Sequence, residues 1–276
     1  MLVKNFLVLL IFLMGTVGCS SANQVTLEEG AGKTIEFSGY KWMVADSKGV
    51  QNGAGHNVWK KDNVWVDKEG SLHLKIAKKG DEWSCAEIWS TQDFEYGTYQ
   101  FELAGPIDTS DPTVVLGMFM HPKINLYTGK DQKIHDEINI KSNNEIDVEL
   151  ARWTIKDGTD GGFTVWANLP EAGGYSKKET SKKYFIPAHT GNSVHTFTWT
   201  EKDITFSSKY EGANPESDAV RKWVYKPEEH ENRMVKSPLR VYLNLWLYRG
   251  YEEKDFLPVL KEQEIIIKKF TYTPQS

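Results

Sequence analysis

The sequence predicts an all-β protein in which two antiparallel sheets pack face to face. Short segments of alternating apolar and polar residues recur along the chain, and Gly, Asp, Asn and Pro separate them. We find no segment of about 12 residues or more with a convincing helical period. Many short strands without intervening helices are typical of a β-sandwich. The 276 residues are enough for one large domain of this kind.

The predicted strands follow these alternating segments in chain order. Residues 64–66 and 72–76 flank the turn sequence DKEG and predict a hairpin. The other predicted strands are residues 96–103, 113–119, 145–150, 163–167, 195–200, 204–206, 240–247 and 264–272. Residues 120–143 break this rhythm and predict a long rim loop, with a small hairpin around 137–140. The charged segment 210–237 predicts an irregular surface loop.

The N-terminus resembles a bacterial lipoprotein signal. Residues 1–19 carry one lysine and an apolar block that is too short for an ordinary membrane span, and they end at Cys19. Thr16 stands where leucine is usual. We expect removal of residues 1–18 and a lipid on Cys19 that anchors the exported chain to the cell envelope, at the outer membrane or cell surface. Residues 19–36 are then a tether and residues 37–276 the sandwich domain. A plain secretory signal that is cut nearby is the alternative.

Composition excludes several partners and chemistries. The net charge of −5 gives no basic field for nucleic acid. No histidine pair has zincin spacing, and one cysteine beyond the signal, Cys85, cannot build a structural zinc site. The segment 53–55 (GAG) lacks the third glycine of a dinucleotide loop, and no G-x-S-x-G motif occurs. No cofactor is predicted, and Cys85 is expected to be a buried small residue.

The segment EIDVE, residues 145–149, is the strongest candidate for chemistry. As a strand it turns Glu145, Asp147 and Glu149 to one face and aliphatic residues to the other. Crowded carboxylates raise the pKa of at least one member of the group. A protonated carboxyl beside an ionised one is what glycoside hydrolysis needs. An ordinary half-solvated strand shows the same alternation, so the pattern alone leaves both interpretations open.

Four ordered blocks resemble the licheninases, which are retaining β-glucanases of glycoside hydrolase family 16. Residues 83–99 resemble their CAE…ST…YG…Y block, residues 145–149 their E-x-D-x-E catalytic strand, and residues 195–199 and 244–246 their later strands. The resemblance covers about residues 37–274. It implies a concanavalin-like jelly-roll sandwich of two curved antiparallel sheets, the concave one holding a glycan.

The resemblance also implies a role for each carboxyl. Glu145 would be the nucleophile, Glu149 the general acid/base, and Asp147 a hydrogen-bonding partner that tunes the pair. Positions i and i+4 of a flat strand lie roughly 13 Å apart at Cα, whereas retaining chemistry needs carboxyls about 5–5.5 Å apart. The retaining assignment therefore depends on the resemblance and requires side chains that lean together.

Sugar contacts are implied at matched positions and by strand parity. Glu87 matches a cleft carboxylate, with a buried, salt-bridged glutamate as an equal alternative. Phe119 and Trp166 are candidate platforms, with core packing as the alternative for each. The complete predicted substrate-binding set is Asn57, Glu87, Trp89, Phe119, His121, Trp166, Asn244 and Trp246.

Several positions depart from the licheninase pattern. Trp89 replaces an arginine, His121 a cleft tyrosine, Asn143 and Asn144 a Trp-Asp pair, and Val58 the cysteine that pairs with the equivalent of Cys85. His121 and His135 lie in the predicted rim loop and are expected to be solvated there. Lys268 falls near an expected aspartate ligand of calcium, so a structural calcium ion is disfavoured. The retained carboxylates and altered sugar contacts indicate kept chemistry with a changed substrate.

These features predict an exported, lipid-anchored, endo-acting glycoside hydrolase that cleaves a β-linked, β-glucan-like polysaccharide by double displacement. A surface glycan-binding lipoprotein with little turnover is the alternative, and a structural envelope protein is a third. A binding cleft has no need of three like charges, which favours the enzyme. The expected partners are the polysaccharide and, through Cys19, the membrane; a monomer is expected. The polysaccharide itself stays open.

Overall fold

The computed structural model describes residues 30–122, 144–167, 180–214, 220–228, 230–248, 257–259 and 261–275. Their strands are β1 (Ala31–Phe37), β2 (Tyr40–Ala45), β3 (Val64–Val66), β4 (Leu72–Lys79), β5 (Glu82–Ser84), β6 (Ala86–Ser90), β7 (Gly97–Leu103), β8 (Val114–His121), β9 (Glu145–Ala151), β10 (Gly161–Trp166), β11 (Ser181–Tyr184), β12 (Ser193–Trp199), β13 (Ile204–Tyr210), β14 (Val220–Tyr225), β15 (Arg240–Leu247) and β16 (Gln263–Pro274). The helical pieces are 3-10 turns at Ala54–His56 and Lys61–Asn63 and the short helix α1 (His230–Arg233).

The strands form two antiparallel sheets, which confirms the predicted sandwich. One sheet, called the site sheet below, has the order β1-β2-β6-β15-β8-β9-β10-β11. The other, the back sheet, has the order β14-β13-β12-β7-β16-β4-β3, with β5 paired to β4. Neighbouring strands are often far apart in sequence, as β15 between β6 and β8 shows. The site sheet is therefore assembled by long-range pairing.

Apolar residues of both sheets meet in the core. The rings of Phe163 on β10 and Phe206 on β13 stack across the two sheets with their centroids 5.0 Å apart. Ile146 and Val148 on β9 are fully buried on the same side of the site sheet as Phe163. Because side chains alternate along a strand, the residues between these core residues point to the opposite face of the site sheet, which is called the site face below.

The predicted strands are largely confirmed, but several predicted boundaries differ from the observed ones. Residues 31–36, predicted as part of the tether, belong to β1. This edge strand is only partly buried before Phe37, so it has no apolar signature. Residues 120–121, predicted as rim loop, belong to β8. The remainder of that loop, with its hairpin and His135, lies outside the described residues, as do residues 1–29.

The predicted loop at 210–237 contains regular structure. Val220–Tyr225 forms the edge strand β14, paired with β13 through residues such as Phe206 and Trp223. Charged residues on its outer positions hide the alternation. No helix in the described part of the chain has the length and apolar character to cross a membrane.

A buried polar network lies at the β12–β13 end of the core. His195 Nε2 is 2.9 Å from Ser193 Oγ, and its Nδ1 is 2.8 Å from Ser208 Oγ. Burial lowers the pKa of His195 to about 3, so this histidine is neutral. It is inaccessible to a substrate, and the network has a structural role. Cys85 is also fully buried, as predicted.

Candidate active site

Strand β9 lies inside the site sheet, between β8 and β10. Its pairing sets Glu149 opposite Gly117 and Gly162, and Asp147 opposite Phe119 and Thr164. Direct cross-strand neighbours share a face of an antiparallel sheet. Glu145, Asp147 and Glu149 therefore occupy the site face, as their alternation predicts.

Glu149 is flanked by glycine on both sides. Gly117 is its neighbour on β8 and Gly162 its neighbour on β10. Beyond Gly117 the same row continues with Asn244 on β15 and Glu87 on β6. The missing side chains leave space beside the carboxyl of Glu149, which polar groups from more distant strands reach.

Asn244 and Glu87 form a hydrogen-bonded pair in this row. Asn244 Nδ2 donates to Glu87 Oε2 over 3.1 Å. Burial raises the pKa of Glu87 to about 7, and the bond from Asn244 opposes that change. Asn244 Oδ1 is buried without a partner among the described residues, and a Cβ atom on Gly117 would lie 2.4 Å from it. An unpaired acceptor therefore lies over the gap beside Glu149.

Asp147 is held by an indole. Trp166 Nε1 donates to Asp147 Oδ2 over 2.7 Å. Burial, followed by the charges of Glu145 and Glu149, raises the pKa of Asp147 well above its ordinary value, and the bond from Trp166 opposes this. Asp147 is 3% exposed. Burial and the two flanking glutamates therefore favour the protonated form of Asp147.

Glu145, at the start of β9, is partly accessible. Its side chain is 28% exposed, and His121 Nε2 lies 3.8 Å from its Oε2. The other ring nitrogen of His121, Nδ1, lies 2.8 Å from the carbonyl oxygen of Pro122. This bond directs Nε2 toward Glu145, so a side chain from β8 lies beside the candidate nucleophile.

Burial raises the pKa of Glu149 to about 7. The charge of Lys183 lowers this pKa, and the charge of Glu145 raises it. The charges of Glu145 and Glu149 therefore interact on the site face. The site thus contains an acid that retains a proton near neutral pH beside a second, accessible carboxyl.

An aromatic row crosses the site face level with Asp147. Phe119 on β8 stacks on Tyr242 of β15 at 5.1 Å, and Tyr242 stacks on Trp89 of β6 at 6.4 Å between ring centroids. Trp89 is 5% exposed, whereas Phe119 is half-buried. Phe119 is therefore the part of this row that a ligand can reach.

Trp246 lies at one end of the site face and is largely covered. It is 8% exposed and packs edge-on against Trp153 and Tyr248, with centroid distances of 6.0 and 6.2 Å. A Cβ atom on Gly55 would lie 2.8 Å from its ring. The close approach of this loop leaves little of the ring for sugar stacking.

Asn57, predicted as a sugar contact, uses its amide nitrogen within the protein. Its Nδ2 donates to the carbonyl oxygens of Ala54 and Leu247, each over 2.9 Å, and the residue is buried. The amide nitrogen thereby ties the 54–56 turn to the end of β15. Asn144 lies just before β9. Its Nδ2 donates to the carbonyl oxygen of Lys236, and its Oδ1 accepts from Lys236 N. Asn143 lies outside the described residues.

The predicted residues other than Asn57 share the site face, and the structure adds three neighbours. Tyr242 has the same parity as Asn244 and Trp246, so the sequence could have revealed it. Lys183, in the short polar strand SKKY, and Trp153, in a turn, had no such signal. Trp89, Trp166 and Trp246 lie on the site face by strand alternation, but Trp89 and Trp246 are buried there and Trp166 alone of the three is partly exposed.

No known family model matches the sequence, and no curated protein matches it. Solved structures do match its fold. The Bacillus licheniformis β-glucanase is 20% identical, with a TM-score of 0.58 over 85% of this chain and 92% of the glucanase. A family 16 glycoside hydrolase of Bacteroides ovatus, in complex with a G4G4G3G product, is 13% identical, with a TM-score of 0.58 over 84% and 94% of the two chains.

A third similar structure is the catalytic domain of an endo-1,3-β-glucanase from Thermotoga petrophila RKU-1. It is 14% identical, with a TM-score of 0.58 over 92% of this chain and 98% of that domain. At these identities the comparison establishes the fold, the jelly-roll sandwich of family 16 glucanases and laminarinases. The predicted resemblance to that family is confirmed at the level of structure.

Proposed function

We propose that this protein is a retaining, endo-acting glycoside hydrolase that cleaves a β-linked, β-glucan-like polysaccharide. The observation that carries the proposal is the β9 triad, in which accessible Glu145 lies on one face with Asp147 and with Glu149, whose pKa is raised to about 7. A protonated and an ionised carboxyl on one face are the two groups that double displacement requires.

In the first step the Glu145 carboxylate attacks the anomeric carbon, and Glu149 gives its proton to the departing glycosidic oxygen. A glycosyl ester on Glu145 and a shortened glycan result. In the second step Glu149 takes a proton from water, whose oxygen attacks the same carbon and releases Glu145. Trp166 Nε1 anchors Asp147 Oδ2 at 2.7 Å. The protonated form of Asp147, which burial favours, donates toward the Glu145 carboxylate in this step.

Sugar contacts in this proposal come from the half-buried residues of the site face. Glu87, Phe119, His121 and Trp166 are each partly exposed. Asn244 is buried and acts indirectly, by holding Glu87 through its Nδ2. Trp89 and Trp246 are nearly buried and pack against the neighbouring aromatic rings Tyr242 and Trp153. The replacement of hydrogen-bonding groups by Trp89 and His121 favours a glycan other than the usual licheninase substrate.

The proposal is tested with a panel of β-1,3-1,4-glucan, β-1,3-glucan and β-galactans. We expect one class to release reducing ends, with viscosity falling early because cuts are internal, and NMR of the fresh product showing the β-anomer. Glu145→Gln is the negative control and should show no release. Glu102→Gln, on the back-sheet strand β7, is the matched control and should keep full activity. If no glycan is cleaved but one retards the protein in a gel, the site is a binding site and the hydrolase proposal fails.

We also propose that Cys19 carries the lipid that holds the protein in the cell envelope. The apolar block that ends at Cys19 supports this. We expect the full chain to partition into detergent and the Cys19→Ala variant into the aqueous phase. Equal partitioning of both proteins would favour a plain secretory signal.

A further inference from the structure

Lys183, on the edge strand β11, brings a positive charge to the site face beside Glu149. Its backbone pairs with Gly162 of β10, which pairs in turn with Glu149 of β9. A Cβ atom built on Gly162 would lie 2.9 Å from Lys183 Cδ and 3.0 Å from Lys183 Nζ. The lysine side chain therefore runs across Gly162, the position between it and Glu149.

An aromatic ring holds the ammonium group in this place. Lys183 Nζ lies 5.2 Å from the centroid of the Trp153 ring, within the range of a cation–π contact. Trp153 packs edge-on against Trp246 and Tyr248, with centroid distances of 6.0 and 5.3 Å. The ring is thus fixed by its own neighbours, and it confines a side chain that is otherwise exposed.

The turn that supplies Trp153 has an unusual backbone. Trp153 and Thr154 have φ values of 54° and 65°, in the left-handed region that non-glycine residues, and β-branched ones above all, rarely adopt. Thr154 N donates to the carbonyl oxygen of Pro112 over 2.8 Å, which ties the turn down. Strained residues of this kind cluster at functional sites. This turn directly follows β9, so the strand that carries Glu149 also leads to the ring beneath Lys183.

We propose that Lys183, held over Trp153, is a positioning residue for Glu149 that sets the upper pH limit of proton donation in the active site. The inference rests on the proposed function, in which Glu149 is the general acid. A fixed cation favours the ionised form of a nearby carboxyl.

Four charged groups share the site face with Glu149. They are Glu145 and Asp147 on its own strand, Glu87 on β6 and Lys183 on β11. Arg152 follows β9 in the next turn. β8 and β10 present glycine at this level, and Arg152 Nη1 donates to the carbonyl oxygen of Lys156 over 3.1 Å. Burial and Glu145 hold the pKa of Glu149 high, and Lys183 opposes them. The charge of Lys183 thus keeps the pKa of Glu149 from rising further, above neutral pH.

Removing the charge of Lys183 is expected to change the pKa of Glu149 in one direction only. The pKa of Glu149 rises, so Glu149 stays protonated to higher pH. The fall of kcat/KM on the alkaline side then moves upward by about half a pH unit to one unit. We expect this in Lys183→Met, which keeps the length of the stem, and no shift in Lys183→Arg, which keeps the charge.

The first measurement does not depend on turnover. NMR titration of ¹³C-labelled glutamate carboxyls, with the Glu149 signal identified by its loss in Glu149→Gln, gives the titration midpoint in each variant. Lys182→Met is the matched control, because Lys182 has the same charge on the same strand but pairs with Phe163 and faces the other way. An unmoved midpoint in Lys183→Met, or an equal shift in Lys182→Met, overturns the proposal.

The pH profile of kcat/KM on the active glycan is the second measurement. A matching upward shift in Lys183→Met, restored by Lys183→Arg, supports the role in catalysis. A loss of kcat/KM at every pH without a shift indicates a sugar contact and overturns it. If the NMR midpoint moves but no glycan is cleaved, Lys183 still controls Glu149 and the hydrolase function is what fails.

Discussion

The Glu145→Gln variant is expected to lose hydrolysis of every substrate, by roughly a thousandfold or more, because no carboxylate remains to form the glycosyl ester. Glu149→Gln should behave differently. Its kcat/KM on polysaccharide should fall by about a hundredfold to ten-thousandfold, the usual contribution of a general acid. Its kcat/KM on a dinitrophenyl glycoside should change little, since dinitrophenolate leaves without a proton.

The two variants together assign the roles. With the dinitrophenyl glycoside, Glu149→Gln forms the ester quickly and hydrolyses it slowly, so a burst of dinitrophenolate equal to the enzyme concentration should precede slow turnover. Stopped-flow absorbance measures this burst. Glu102→Gln, on the back sheet, should match the wild type for both substrates. A burst in Glu145→Gln instead of Glu149→Gln would show that the assignment is reversed.

The Phe163→Ala variant is expected to lower the free energy of unfolding by about 3–5 kcal/mol. Phe163 is fully buried on the core face of β10, and its ring lies 5.0 Å from both Tyr184 and Phe206 between centroids. Removing it leaves a cavity that two rigid sheets cannot close. Urea unfolding of the chain without its signal segment, followed by tryptophan fluorescence, measures the change in midpoint.

Phe185→Ala is the control for this experiment. Phe185 is 60% exposed just after β11, and its carbonyl oxygen, which accepts from Arg221 Nε over 3.0 Å, survives the substitution. We expect less than about 0.5 kcal/mol of change there. An equal loss in the two variants, or a changed dependence on urea concentration, would mean that the sheets do not pack through Phe163 as described.

The sequence contained most of the fold and the centre of the site, for physical reasons. Strict alternation marks β9 and β15, because one face of each is apolar core. Alternation also places Glu145, Asp147 and Glu149 on a shared face. Edge strands carry a weaker signal: β1 and β14 bury few residues, so they read as tether and loop.

Contacts between residues far apart in the chain could not be predicted from the sequence. Nothing in the segment SKKY says that Lys183 crosses Gly162 toward Glu149, since this depends on the pairing of β11 with β10. Likewise, Asn57 matches a sugar-binding position in the family pattern, yet its amide holds the end of β15. Strand order and loop closure decide both cases.

The central position of β9 limits how such a site can change during evolution. The strand is hydrogen-bonded on both sides, by β8 and β10, so its three carboxyls share one uninterrupted backbone. A single inserted residue would turn either Glu145 or Glu149 into the core unless a bulge absorbed it. Insertions and deletions are far easier to accept in the connections between strands. New substrate ranges should therefore arise most easily from the rim and from substitutions on flanking strands.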